Sequence, residues 1–342
     1  MSAPLPASAL AQLAPDLPVV RLLNGLWQVS GAHGRIDPQT AVPQMLTYHR
    51  AGLTTWDLAD HYGPAETFYG AFRQELARAE GPDALASSQA LTKWVPRPGP
   101  MTRLVVEQAV SLSLKRMQVP TIDALQFHWW DYADARYLDA LEQLERLRQE
   151  GLIRHLALTN FDTQRLGQIL DHGIPVVANQ IQYSLIDLRP EVQMVDLCRA
   201  RGVGLLTYGT LCGGLIAERY LGQPEPQPSQ LNTASLRKYK QMIDLWGGWD
   251  LFQELLGALK QVADRHGVSI ANVATRAILD RPTVAGVIIG ARLGLAEHIA
   301  DNLRVFALAL DDQDRARIDQ VLRRARNLYR IIGDCGDEYR RA

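Results

Sequence analysis

Short β-branched or apolar runs recur along the chain, each followed by a longer amphipathic stretch. Thr54–Ala59 precedes helical patterning over Pro64–Ala79, and Ala84–Lys93 precedes Met101–Met117. Ile122–His128 leads into Arg136–Glu150, Ile153–Asn160 into Thr163–Asp171, and Val176–Tyr183 into Glu191–Arg201. Val203–Tyr208 is followed by a long insertion and then by helical patterns near Leu251–His266 and Ile270–Leu279. Ala285–Gly290 closes the series, with helices from about Leu295 and Asp311. With Met45–Ala51 as the first helix, a strand near Val20–Leu26 opens it. Gly52, Gly151, Gly173 and Gly202 stand where helices must stop before the next strand, positions that suit a left-handed residue. Eight strand–helix units in regular alternation predict an α/β fold, a (β/α)8 TIM barrel, rather than an open doubly wound sheet. A Rossmann-type sheet is the other candidate, but Gly31-Ala32-His33-Gly34 is too short for its glycine fingerprint.

Composition narrows the function. The 36 Lys and Arg against 37 Asp and Glu leave a net charge of -1, without the basic footprint of a nucleic-acid binder. No apolar run approaches the roughly 20 residues of a membrane span. Three cysteines, Cys198, Cys212 and Cys335, lack metal-site spacing and are odd in number, which points to a reducing, cytoplasmic setting. No basic residue precedes Arg21, so neither a secretory signal nor a transit peptide is expected. The Ala-, Pro- and Leu-rich residues 1–18 read as a loosely ordered lead-in. Residues 19–342 read as one barrel domain, with an insertion at about 213–248 and a helical C-terminal tail.

Barrel enzymes carry their chemistry on the loops after the C-terminal strand ends. Polar residues at those ends are Asp57, Tyr62, Lys93, His128, Asn160, Gln180 and Tyr208. Tyrosine at its ordinary pKa of about 10 is a poor acid at neutral pH, and a nearby lysine ammonium would lower that value. An aspartate would hold the lysine, and a histidine would orient a substrate oxygen or share the proton. Such a group suits protonation of a carbonyl oxygen while hydride arrives at carbon, and the hydride must come from a cofactor. Each residue taken singly has a structural alternative. Asp57 could bind backbone amides, His128 could be a core histidine, and Tyr208 could plug the barrel.

The motif Trp56-Asp57-Leu58-Ala59-Asp60-His61-Tyr62-Gly63 resembles a signature of the aldo-keto reductases. So do Leu91-Thr92-Lys93-Trp94 and Gln126-Phe127-His128-Trp129. The resemblance runs from about Leu23 to Asn302 and implies a catalytic tetrad of Asp57, Tyr62, Lys93 and His128. It implies NADPH or NADP+ as cofactor, with NADH less favoured. Asn160 and Gln180 would hold the nicotinamide carboxamide, and Tyr208, with Gly209 and Leu211 beside it, would stack on the ring. Gly290, Arg292 and Asn302 would grip the adenosine end, with Arg304 and His298 as other cations there. Arg292 reads equally as a solvated charge. Departures from the family pattern are Trp129-Trp130 in place of Trp-Pro, Thr159 in place of Ser, and Gly294-Leu295 added beyond Arg292.

Trp27, Trp94, Trp129 and Trp130 lie near strand ends and suit an apolar pocket wall. Trp246 or Trp249 could join them from the insertion, or be core residues. The expected partner is a small carbonyl compound, with no nucleic acid and no membrane. Some members of the resembled family are regulatory channel subunits, which leaves an NADPH-sensing subunit as the alternative to an enzyme. A metal-dependent barrel hydrolase would need clustered ligands, and only His128 among the histidines sits at a strand end.

Overall fold

A computed structural model describes residues 5–31 and 36–340. Eight parallel strands close into a barrel: β3 (Leu22–Gly25), β4 (Thr55–Asp57), β5 (Gln89–Trp94), β6 (Ile122–Phe127), β7 (Ile153–Thr159), β8 (Val176–Gln182), β9 (Gly204–Tyr208) and β10 (Val284–Gly290). The strands follow one another in chain order, and β10 pairs with β3 to complete the ring. The helices between them are α1 (Pro38–Arg50), α2 (Ala65–Glu80), α3 (Arg103–Met117), α4 (Tyr137–Gln149), α5 (Thr163–Asp171) and α6 (Met194–Arg201). Then come α7 (Ala234–Trp246), α8 (Gly248–His266), α9 (Ile270–Leu279), α10 (Ile299–Leu303), α11 (Asp312–Leu322) and α12 (Leu328–Ile332). The expected TIM barrel is the fold. The Gly31–Gly34 stretch that failed as a fingerprint lies, apart from Gly31, outside the described residues.

The lead-in is not loose. Within it, β1 (Leu10–Ala14) and β2 (Leu17–Val20) form an antiparallel hairpin. Leu13, Leu17 and Val19 are buried against the inward-facing Leu23, Leu91, Ala124, Ala157, Ala178 and Leu206. A hairpin side chain every second residue thus seals the floor of the barrel. The alternation spans too few residues on either side of the Pro15-Asp16 turn to stand out in an Ala/Leu/Pro-rich stretch. His155 at the start of β7 lies 2.8 Å from Asp16 at the turn, which ties the hairpin in place.

Other elements shift. Residues 82–87 form a short 3-10 turn begun by Pro82, so the third barrel strand starts at Gln89 rather than Ala84. The first helix starts at Pro38, seven residues early, because the Asp37 carboxylate caps the Gln39 amide at 3.0 Å. The C-terminal tail is α-helical only to Ile332; beyond it, residues 333–340 cross the barrel mouth with a single 3-10 turn at Asp337–Tyr339.

Candidate active site

Strand periodicity builds the site. Two residues beyond the aliphatic floor layer, the same strands present Lys93, Gln126, Thr159, Gln180 and Tyr208 at the mouth. Lys93 Nζ donates to Asp57 Oδ1 at 2.6 Å and to the Leu58 carbonyl at 3.0 Å, and both charged side chains are only 4% exposed. Gln126 and Gln180 donate their amides to the same Asp57 oxygen at 3.0 and 2.7 Å, and Gln180 also donates to Gln126 Oε1 at 2.6 Å. Such donors are what a buried carboxylate needs to stay ionised beside its lysine.

Tyr62 follows β4 at the rim, half-buried, with Lys93 Nζ 5.0 Å from its ring centroid. The Tyr62 ring is met edge-on by Trp27 at 5.0 Å and by His61 at 4.8 Å. The expectation that Lys93 lowers the Tyr62 pKa is not met. Burial, reinforced by the Asp57 carboxylate, raises it well above the usual value, while burial lowers that of Lys93 against the pull of Asp57. The ammonium is held by Asp57, and that carboxylate opposes a phenolate. Tyr62 therefore keeps its proton.

His128 is buried one residue past β6, and its Nδ1 lies 3.2 Å from the Thr159 carbonyl. Burial and then the Arg340 guanidinium push its pKa down to about 3, against the Thr159 bond, so the ring is neutral. Trp130, half-exposed, meets it edge-on at 4.3 Å. Asn160 adopts a left-handed φ of 60°, and its Oδ1 accepts a 2.7 Å bond from the Tyr208 hydroxyl.

The other expected residues divide. Gln180 is engaged inside the Asp57 network. Gly209, with φ of 77°, lies where a Cβ would collide with the Tyr239 phenol, and at Gly290 one would collide with the Gln28 amide. Leu211 and Asn302 share a shallow crevice with Leu22, Asn272 and Ile289. Arg292, His298 and Arg304 are exposed beyond β10. Of the tryptophans, Trp27 and Trp130 flank the mouth. Trp94 and Trp129 do not reach it: alternation turns both outward onto Phe127, at 5.5 and 5.9 Å. The Trp129 indole donates to the Asp131 and Asp134 carbonyls. Trp246 and Trp249 are buried, and Trp249 packs on Phe252 and donates to the Gln223 carbonyl. They belong to the core.

The sequence reading missed the roof. Lys238 of α7 donates to the Tyr339 hydroxyl at 2.5 Å, which lies 3.0 Å from the Tyr208 hydroxyl. With Tyr208 donating to Asn160, the chain of donors runs from Lys238 through two phenols to the amide. Arg340 donates to the Asn160, Gly336 and Trp129 carbonyls at 2.6, 2.9 and 2.7 Å. Buried Arg189 bonds Asp187 at 2.8 Å and Glu338 at 2.9 Å, which locks the tail down. Residues 334–340 carry no periodic pattern that would have revealed this role.

A mouth with a buried Asp–Lys pair, an adjacent tyrosine and a neutral histidine invites comparison with known proteins. A profile described as the Aldo/keto reductase family matches residues 21–323. The chain belongs to the aldo/keto reductase family. Its members are oxidoreductases that use nicotinamide cofactors. This aldo/keto reductase is 26% identical over 257 residues to Flagellar radial spoke protein 5 of Chlamydomonas reinhardtii, covering 65% of this chain and 49% of the relative. The chain thus spans about half of that relative's length. It is 22% identical over 322 residues to the NADH-specific methylglyoxal reductase of Escherichia coli, covering 87% and 93%. The glycerol dehydrogenase structure from Gluconobacter oxydans superposes with a TM-score of 0.76 at 22% identity, covering 96% and 97%, and shares the fold.

Proposed function

We propose that this aldo/keto reductase reduces an aldehyde or ketone to an alcohol, with NADPH preferred, in the cytoplasm. The observation that carries the proposal is the Asp57–Lys93 pair, buried at 2.6 Å beneath Tyr62 and sharing its mouth with His128. A reduced nicotinamide, when bound, supplies the hydride to the carbonyl carbon. The Tyr62 hydroxyl gives its proton to the carbonyl oxygen as the C–O π bond opens. Asp57, braced by Gln126, holds the Lys93 ammonium beneath the ring, 5.0 Å from its centroid. His128 orients the substrate.

We assign residues at the ends of β7, β9 and β10 to the dinucleotide. We assign Asn160 and Tyr208, which bond each other at 2.7 Å, to the nicotinamide end, and Leu211 and Asn302, neighbours beyond β9 and β10, to the adenosine end. Gln28 Oε1, buried without a partner among the described residues, lies beside Gly290, whose lack of a Cβ leaves the amide its place. Arg292, exposed just past β10, is the cation we assign to a 2′-phosphate, the basis of the NADPH preference. The methylglyoxal reductase relative is named as NADH-specific, so both cofactors belong in the test. Gln180, Gly209 and the mouth tryptophans Trp27 and Trp130 complete the proposed walls. No observation favours the sensor reading over the enzyme.

The test is turnover of a panel of aldehydes and ketones, followed by loss of NADPH absorbance, with NADH in parallel. Reduction with higher kcat/KM for NADPH is the expected result. No turnover with either cofactor overturns the reductase reading, and equal use of both overturns the preference.

A further inference from the structure

The hydrogen bonds of the roof run in one direction. An ammonium has hydrogens to give and no lone pair, so Lys238 donates to the Tyr339 oxygen at 2.5 Å. Tyr339 then has its own hydrogen for the Tyr208 oxygen at 3.0 Å, and Tyr208 gives its hydrogen to Asn160 Oδ1 at 2.7 Å. In the reverse order the Tyr339 oxygen would accept from both Lys238 and Tyr208, and its hydrogen would have no partner. The cation therefore sets the order of the whole chain. The rings of Tyr339, Tyr208 and Tyr239 face its ammonium at 4.5, 5.2 and 5.4 Å, which keeps it beside the two phenols.

The order matters at Asn160. A side-chain amide is a donor at one end and an acceptor at the other, and its partners decide which end faces out. With Oδ1 taken by Tyr208, Nδ2 is the end left to a ligand, and among the described residues nothing accepts from it. The tail holds the same residue by its backbone. Arg340 donates to the Asn160 carbonyl at 2.6 Å, and Gly336 packs so close to that carbonyl that a Cβ would collide with it. Asn160 keeps its left-handed φ of 60° beneath this clamp. Arg189 in turn pins the tail through the Asp334 carbonyl at 3.0 Å and Glu338 at 2.9 Å.

We infer that Lys238 and Tyr339 are positioning residues for the cofactor: acting through Tyr208, they turn the donor end of Asn160 toward the nicotinamide carboxamide oxygen. The inference rests on the assignment of Asn160 and Tyr208 to the nicotinamide end. The nicotinamide half of the site is thus completed by α7 and by the tail, whereas the adenosine half does not depend on them.

The test measures binding to the full chain by calorimetry, for NADPH and NADH and for ADP-ribose with and without a 2′-phosphate, which lack only the nicotinamide. Tyr339→Phe and Lys238→Met are each expected to weaken the dinucleotides by about fivefold to tenfold, the worth of one hydrogen bond. Both variants should bind the ADP-ribose forms within about twofold of the parent, since those never meet Asn160. The double variant should be no worse than about twofold beyond either single one, because the two residues act in one chain. A loss of merely structural origin would weaken the ADP-ribose forms as much as the dinucleotides, and that result overturns the inference. So does an unchanged dinucleotide affinity in either variant, or losses that multiply in the double variant. A parent that binds none of the four ligands overturns the cofactor reading beneath it.

Discussion

The floor and the mouth of the barrel are built on the same strands two residues apart, yet they obey opposite rules. At the floor, Leu23, Leu91, Ala124, Ala157, Ala178 and Leu206 meet the hairpin residues Leu13, Leu17 and Val19 in a purely aliphatic layer. At the mouth, Lys93, Gln126, Thr159, Gln180 and Tyr208 replace five of those six, and they are satisfied by hydrogen bonds rather than by contact. Both layers are buried, except that Tyr208 is partly exposed. The floor gains stability from area removed from water, whereas the mouth must hold charge in a low-dielectric setting and is ordered by the bonds that Asp57, Lys93, Gln126 and Gln180 make to one another.

Substitutions in the two layers should therefore fail differently. Lys93→Met leaves the Asp57 carboxylate buried without its cation, and is expected to cost about 3–5 kcal/mol in urea unfolding as well as most of the turnover. An unchanged urea midpoint would mean that the pair contributes no stability. Leu206→Ala in the floor is expected to cost about 2–5 kcal/mol of stability while kcat per folded molecule stays within about threefold of the parent. A large loss of kcat there would deny that the layers are separable.

The third contrast is in pH. His128 is neutral in the fold, with its pKa down at about 3, whereas the unfolded residue titrates near 6.5. The unfolded chain binds the extra proton first, so this stability is fully present above about pH 6.5 and is lost as pH falls toward 3. Between about pH 6.5 and 5 the loss from this residue should be about 2 kcal/mol, and His128→Phe should show a correspondingly flatter decline in urea unfolding. Parallel pH profiles would contradict the neutral buried ring. The smallest effect is expected at the roof: Tyr339→Phe removes the hydroxyl between Lys238 and Tyr208 and should cost about 1 kcal/mol in thermal unfolding. No change in thermal stability would place that hydroxyl outside the network.

The same contrast explains what the sequence made legible. Strand–helix alternation and the polar residues at strand ends carry the barrel, and placing Asp57 and Lys93 at adjacent strand ends already implied their contact. Period-two alternation could also have told which tryptophans face outward, since Trp94 follows Lys93 and Trp129 follows His128 by one residue. Gln126, the second amide on Asp57, sits inside a motif read only for its histidine. The roof left no trace because Tyr339 and Arg340 reach the mouth through tertiary contacts of a short 3-10 turn, and Lys238 does so from an insertion whose path no local pattern fixes. The hairpin floor was hidden by its brevity.

The central claim is that the phenol of Tyr62 hands its proton to the substrate. Tyr62→Phe keeps the ring against Trp27 and removes only that hydroxyl, so the direct measurement is single-turnover reduction of a good substrate by this variant, with cofactor binding followed by fluorescence. The account predicts unchanged cofactor affinity and a chemical step slower by about 10²–10⁴-fold. Reduction at the parent rate would contradict it.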